Sequence, residues 1–296
     1  MYREKRGDGH DHQFLNLHKQ HLAEHRVALE RDLHWALGRG ELHTEYQPIV
    51  AAASGRITGV EALLRWVHPT QGPVSPATLI PLAEQSGLIA EIGQWVLEQA
   101  WADRHRWQSQ SEDDLAMSVN VSARQLMLAG FAASVAAVLA TDHTDPRLLT
   151  LEMTESVFVR DSDRALVVLN DLKDIGVMLA IDDFGTGYSS LSYLGQFPVD
   201  IVKLDRSFVA DFERVVASHT VVSAVIQLAH DLNMTVVAEG VETEEQHLEV
   251  TRLGCDSCQG FYFARPMGAP NLETLMRERI DGADPRLPLA VAASFT

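Results

Sequence analysis

VMLAIDDFG (177–185), VDIVKLD (199–205) and MTVVAEG (234–240) decide the fold. Each is a short apolar, largely β-branched run that ends on charged side chains. Between and around them, residues 162–175, 212–232 and 243–253 place apolar side chains at helical spacing. Strands alternating with helices imply right-handed crossovers and a parallel sheet. Working outward, the same form recurs in LLTLEMTES (148–156), MSVNVS (117–122) and SCQGFYFA (257–264). Nearer the N-terminus, EYQPIV (45–50) and RITGVEALLRW (56–66) flank AAASG and predict an antiparallel hairpin.

That makes eight strands, the number that closes a barrel. The predicted fold is α/β: a modified TIM (β/α)8 barrel with one irregular antiparallel strand at its start. Before the hairpin, residues 22–38 read as an amphipathic helix, with Leu22, Leu29, Leu33 and Leu37 on its stripe and Val27 and Trp35 near it; Gly38 and Gly40 end it. Residues 69–76 read as a Pro/Gly-rich connection and 77–107 as helical.

The 296 residues carry 24 Lys+Arg against 41 Asp+Glu, a formal charge of −17, which argues against a nucleic-acid polymer or an anionic membrane as partner. With 46% hydrophobic residues the chain is not a disordered one. The opening MYREKRGDGHDHQ has no apolar core and so is no secretory signal. The most continuous apolar stretch, 131–140, is about half a membrane helix. The chain therefore reads as cytoplasmic, without membrane contact of its own. Cys255 and Cys258 form a single CxxC, too few sulfurs for a zinc site and misplaced for a redox motif, so they read as two unrelated semi-buried thiols. Seven histidines within the first 43 residues follow no ligand spacing. The tail, DGADPRLPLAVAASFT, has no amphipathic period and reads as disordered.

Barrels of this kind build their sites at the C-terminal ends of the strands. There the sequence sets Glu61, Asn120, Glu152, Asp182, Asp183, Lys203, Glu239 and Gln259. Several carboxylates on one rim are too costly to leave without a cation. A hard, all-oxygen ligand set suits Mg²⁺ or Mn²⁺, and the excess of acid over one ion's charge favours two ions. Asp182 and Asp183 are adjacent and would face opposite ways on a continuing strand, so the chain must turn, at Phe184–Gly185, for both to reach one site. Taken singly, Glu61 or Glu152 reads equally as a satisfied buried carboxylate, Asn120 as a turn or capping residue, FGTGYSS as a glycine turn before a serine cap, and Lys203 with Asp205 as a structural ion pair.

Together these residues resemble a known family. EALLRW (61–66) matches the motif that names the EAL family of cyclic di-GMP phosphodiesterases. YQPI (46–49), NVS (120–122), LEMTES (151–156), DDFGTGYSSLSYL (182–194), VKLDRSF (202–208), AEGVET (238–243) and QGFYFARP (259–266) continue it in order. The resemblance implies that Glu61, Asn120, Glu152 and Asp182 hold one Mg²⁺ or Mn²⁺, and that Asp182 bridges to a second ion bound with Asp183 and Glu239. It implies that Lys203, Glu239 and Glu61 serve catalysis, that Gln47, Arg65 and Gln259 contact substrate, and that Glu155 supports the loop beginning at Asp183. The implied activity is hydrolysis of cyclic di-GMP to linear pGpG, by a homodimer in which the loop 184–190 couples dimer contacts to the metals. The alternative is a catalytically weak cyclic di-GMP receptor or interaction module signalling to a partner.

MYREKRGDGHDHQFL resembles the closing segment of a GGDEF domain, and AEHRVALERDLHWALGRGEL the linker helix of tandem GGDEF–EAL proteins. Residues 1–21 are thus expected to be a remnant of an upstream GGDEF domain and linker, 22–278 the EAL barrel and 279–296 the tail. The parent protein could be membrane-tethered through other regions.

Overall fold

The computed structural model describes residues 25–108, 114–141, 144–157, 161–185, 194–210 and 216–280. The expected GGDEF remnant, the tail beyond residue 280 and positions 186–193 of the glycine-rich loop lie outside the described residues. The last described helix, Ala269–Ile280, runs two residues past the point where the tail was expected to begin.

Nine strands form one sheet: β1 (Leu42–Ala51), β2 (Ile57–His68), β3 (Gly72–Val74), β4 (Ala116–Asn120), β5 (Leu149–Thr154), β6 (Met178–Phe184), β7 (Ile201–Leu204), β8 (Thr235–Ala238) and β9 (Ser257–Cys258). Pairing runs β1-β9-β8-β7-β6-β5-β4-β2, and β1 also pairs with β2, which closes an eight-stranded ring. From β2 through β9 the ring pairs are parallel, whereas β1 meets β9 antiparallel. The eight expected strands are the eight of the ring.

β3 is the unexpected one. It lies outside the ring, antiparallel to the end of β2 with Trp66 opposite Val74. It falls in the stretch read as a Pro/Gly-rich connection, because three residues are too few to show an alternation. The helical region that follows is also two helices, Pro76–Ser86 and Ile89–Gln108, parted where Gly87 takes a left-handed φ of 80°.

The chain divides into two compact units. The smaller holds residues 1–43 and 65–92. In it the helix over 25–36 buries Leu29, Leu33 and Ala36, while Val27 and Trp35 are 65% and 59% exposed. Trp35 therefore stands off the stripe it was expected to border, because positions 29, 33 and 36 define a face from which position 35 is turned away. Trp66 donates its indole N–H to Glu41, and His68 lies 3.3 Å from Asp32.

The larger unit, residues 44–64 and 93–296, contains the barrel. Its wall is held in part by a buried polar knot. Tyr46 on β1 donates its hydroxyl to Asp103 at 2.5 Å, Gln99 and Arg106 also donate to Asp103, and Trp107 packs edge-on against the Tyr46 ring at 4.8 Å. Burial, then the hydrogen bond to Asp103, pushes the Tyr46 phenol well up, so it stays a donor. Asp103→Ala leaves that hydroxyl buried without its acceptor and is expected to cost about 1–3 kcal/mol, read as a lower urea midpoint at constant slope.

Among the described residues no helix is long and apolar enough to cross a membrane. Cys255 and Cys258 are both free and buried, and burial pushes the Cys258 thiol up to about 12. They are more deeply buried than the semi-buried thiols expected.

Candidate active site

The strand ends of the larger unit bring one cation and a ring of carboxylates together. Lys203, on β7 opposite Val237 of β8, is 1% exposed. Its Nζ lies 2.5 Å from Glu152, 2.7 Å from Glu239, and 3.4 Å from both Glu61 and Asp182. The cation that the carboxylates require is thus partly supplied by the chain itself. Burial opposes the Lys203 charge, but the carboxylates outweigh it and hold its pKa above the ordinary lysine value.

The amides fix the acids in place. Asn120, directly across the β4–β5 pair from Glu152, donates to Glu61 Oε1 at 2.6 Å. Gln259, which follows β9, donates to Glu61 Oε2 at 2.7 Å and to Gln47 Oε1 at 3.0 Å, and Gln47 donates to the Ala264 carbonyl. Burial works against ionised Glu61, yet Lys203 and these amide donors outweigh it and hold its pKa down. Glu152 goes the other way: burial, reinforced by the charges of Glu61 and Asp182, raises it despite Lys203. Burial first, then the nearby acids against Lys203, brings Glu239 up to about 7.

Asp182 and Asp183 reach the same site by a bulge. The β6–β7 register shifts between Ile181 and Phe184, and Asp183 itself adopts φ 52°, a left-handed conformation that few side chains tolerate. The turn therefore begins at Asp183, one residue earlier than expected. Gly185 completes it at φ 96°, where an added Cβ would come within 2.3 Å of the Phe208 ring. Glu155 accepts a hydrogen bond from the Gly185 amide at 3.0 Å.

Asp182, Asp183 and Glu239 each offer an oxygen within 4.8 Å of the others. Asp182 Oδ1 is buried and accepts no hydrogen bond, although the Lys203 ammonium lies 3.4 Å from it. When ionised, Glu61, Glu152, Asp182, Asp183 and Glu239 carry five negative charges against the single ammonium of Lys203, leaving four. An oxygen-only donor set with a buried carboxylate oxygen that accepts no hydrogen bond, and that excess charge, fits hard divalent cations.

Glu61, Asp182, Asp183 and Glu239 open on a cleft of about 300 Å³ that Asp205, Arg206, Glu242 and Phe261 also line. Arg206, Glu242 and Phe261 were quoted within motifs without a role, and Asp205 only as a structural partner of Lys203. Their one legible signal is position, since each lies within four residues beyond a ring strand. Arg65 lies on β2 and belongs to the smaller unit.

The EAL domain family model matches residues 30–266. The bifunctional diguanylate cyclase/cyclic di-GMP phosphodiesterase MucR of Pseudomonas aeruginosa is 46% identical over 250 residues, 84% of this chain and 36% of that protein. A solved MucR phosphodiesterase in complex with c-di-GMP superposes with a TM-score of 0.78, covering 82% of this chain and 98% of that one at 46% identity. A Klebsiella pneumoniae BlrP1 complex with manganese and c-di-GMP gives 0.67 at 30% identity, over 77% of this chain and 56% of that one. The chain spans about a third of the length of the curated relatives it matches, 36% for MucR and 38%, 32% and 30% for others. With its ordered motifs and its barrel in agreement, the chain belongs to the EAL domain family.

Proposed function

We propose that residues 22–278 form a phosphodiesterase domain that hydrolyses one 3′–5′ bond of cyclic di-GMP, giving linear pGpG and lowering the level of this second messenger. The observation that carries this reading is the acid-rich basin around Lys203, in which Asp182 Oδ1 accepts no hydrogen bond, opening on a cleft beside the amides of Gln47 and Gln259. The MucR and BlrP1 complexes support the ligand, and the manganese in the latter supports the metal.

Glu61, Asn120, Glu152 and Asp182 would hold one Mg²⁺ or Mn²⁺, and Asp182, Asp183 and Glu239 a second. Such a pair supplies Lewis acidity, lowering the pKa of water and neutralising phosphoryl oxygens. The chain's own groups do the rest. Lys203, kept charged by four carboxylates, can only donate, so it holds the attacking water or a phosphoryl oxygen in place. Glu239 can accept, and takes the proton that the water loses as its oxygen bonds to phosphorus. The P–O3′ bond breaks on the opposite side and the leaving 3′ oxygen takes a proton from solvent water. Gln47 and Gln259 orient the nucleotide, Glu61 is held for its ligand role by Asn120 and Gln259, and Arg65 contacts substrate. A cytoplasmic homodimer preceded by a GGDEF domain completes the proposal; the dual name of MucR supports the tandem.

Glu155 acts on the site through the Gly185 amide. Glu155→Ala is expected to weaken metal binding about tenfold, measured by calorimetric titration with Mn²⁺, because the support that fixes Asp183 is lost.

The deciding experiment incubates the protein with cyclic di-GMP in Mg²⁺ or Mn²⁺, with EDTA and Glu61→Ala as controls. The expected product is pGpG in the metal-loaded wild type alone. Tight nucleotide binding in Ca²⁺ with negligible turnover in Mg²⁺ or Mn²⁺ would instead make the domain a receptor.

A further inference from the structure

The charge of the cleft poses a problem that metals at the basin do not solve. Cyclic di-GMP carries two phosphates, and the basin serves the one being cleaved. The other must enter a cleft whose charged lining is six carboxylates and one cation, Arg206. Lys203 is 1% exposed and engaged by four acids, so it is not free to reach a second anion.

Arg206 is placed for that task. It follows β7 directly and opens the short helix Arg206–Ala210. Gly240, next after Glu239, has φ 67°, and a Cβ there would stand 2.3 Å from Arg206 Cβ and 3.1 Å from its Cα. The absence of that Cβ lets the Arg206 backbone lie against the segment that carries Glu239, fixing the arginine beside the basin. Its side chain is exposed and lines the cleft. Asp205, Glu239 and Glu242 line the same cleft, yet Arg206 makes no ion pair with any described residue. A planar guanidinium left unpaired among acids is suited to a phosphate oxygen pair.

We propose that Arg206 holds the phosphate of the cyclic dinucleotide that is not cleaved, and so sets the preference for a two-phosphate substrate over a simple phosphodiester. This rests on the phosphodiesterase reading above.

Steady-state kinetics of wild type, Arg206→Ala and Arg206→Lys in Mn²⁺ test it, with cyclic di-GMP and bis(p-nitrophenyl) phosphate as paired substrates. For Arg206→Ala the KM for cyclic di-GMP is expected to rise about tenfold with kcat within about twofold, and the ratio of kcat/KM values between the two substrates to fall about tenfold. Arg206→Lys should recover part of the loss. An unchanged KM, or an equal loss on both substrates, overturns the assignment. Should the wild type prove inactive, calorimetric binding of cyclic di-GMP in Ca²⁺ separates the two claims. A tenfold loss in Arg206→Ala would then uphold the arginine while refuting turnover, and equal binding or none would refute the arginine.

Discussion

Lys203→Met is expected to abolish measurable turnover and to cost the metal-free fold about 3–5 kcal/mol. The methionine fills nearly the same volume, so packing loss is small and the effect is one of charge. Lys203 Nζ is the shared partner of Glu152, Glu239, Glu61 and Asp182, and Glu152 is itself only 1% exposed. Without the ammonium these carboxylates face one another in a medium of low dielectric, the arrangement in which a broken buried pair costs most. Urea unfolding in EDTA measures the loss. Mn²⁺ should restore much of the variant's stability, because ions bound only by the folded state stabilise it by mass action. A variant as stable as wild type in EDTA would show that the lysine is not the internal counter-ion described here.

Asp182→Asn is expected to lower kcat/KM for cyclic di-GMP by a factor of about 10³ or more, since the residue proposed to bridge both ions carries several kcal/mol of transition-state stabilisation. Its effect on the metal-free fold should have the opposite sign. Asp182 Oδ1 is buried with no hydrogen bond, and its charge helps to push up both Glu152 and Glu239. An amide of the same shape removes one negative charge from an over-acidic basin, so thermal unfolding in EDTA should move up, by about 1 kcal/mol in stability. Activity and apo stability moving in opposite directions is the mark of a site strained for its ligand. If both fell together, Asp182 would be an ordinary structural acid.

The ring of the barrel was legible because each parallel strand is buried on both faces and so reads as an uninterrupted apolar run. β3 left no such trace: it has three residues and sits outside the ring. Trp35 was misplaced because a large apolar side chain attracts any stripe drawn near it, whereas backbone geometry alone decides the face. At the site, Glu152 and Glu155 lie three positions apart, one at the basin and one on the Gly185 amide. The adjacent aspartates required a turn, but its start at Asp183, still within β6, comes from a register shift against β7 that no local pattern encodes. The role of Lys203 as hub of four acids depends on distances across four strands, which no local pattern encodes. Arg206 was passed over for the same reason, since what matters about it is the absence of a partner.

The acidity of the chain is reconciled with an anionic substrate only if divalent ions are bound in the basin. Formation of pGpG by metal-free protein titrated with Mn²⁺ tests this most directly. The account requires no product in EDTA and product that rises with Mn²⁺ until two ions are bound per chain. Product formed in EDTA, or none at any Mn²⁺ concentration, would contradict it.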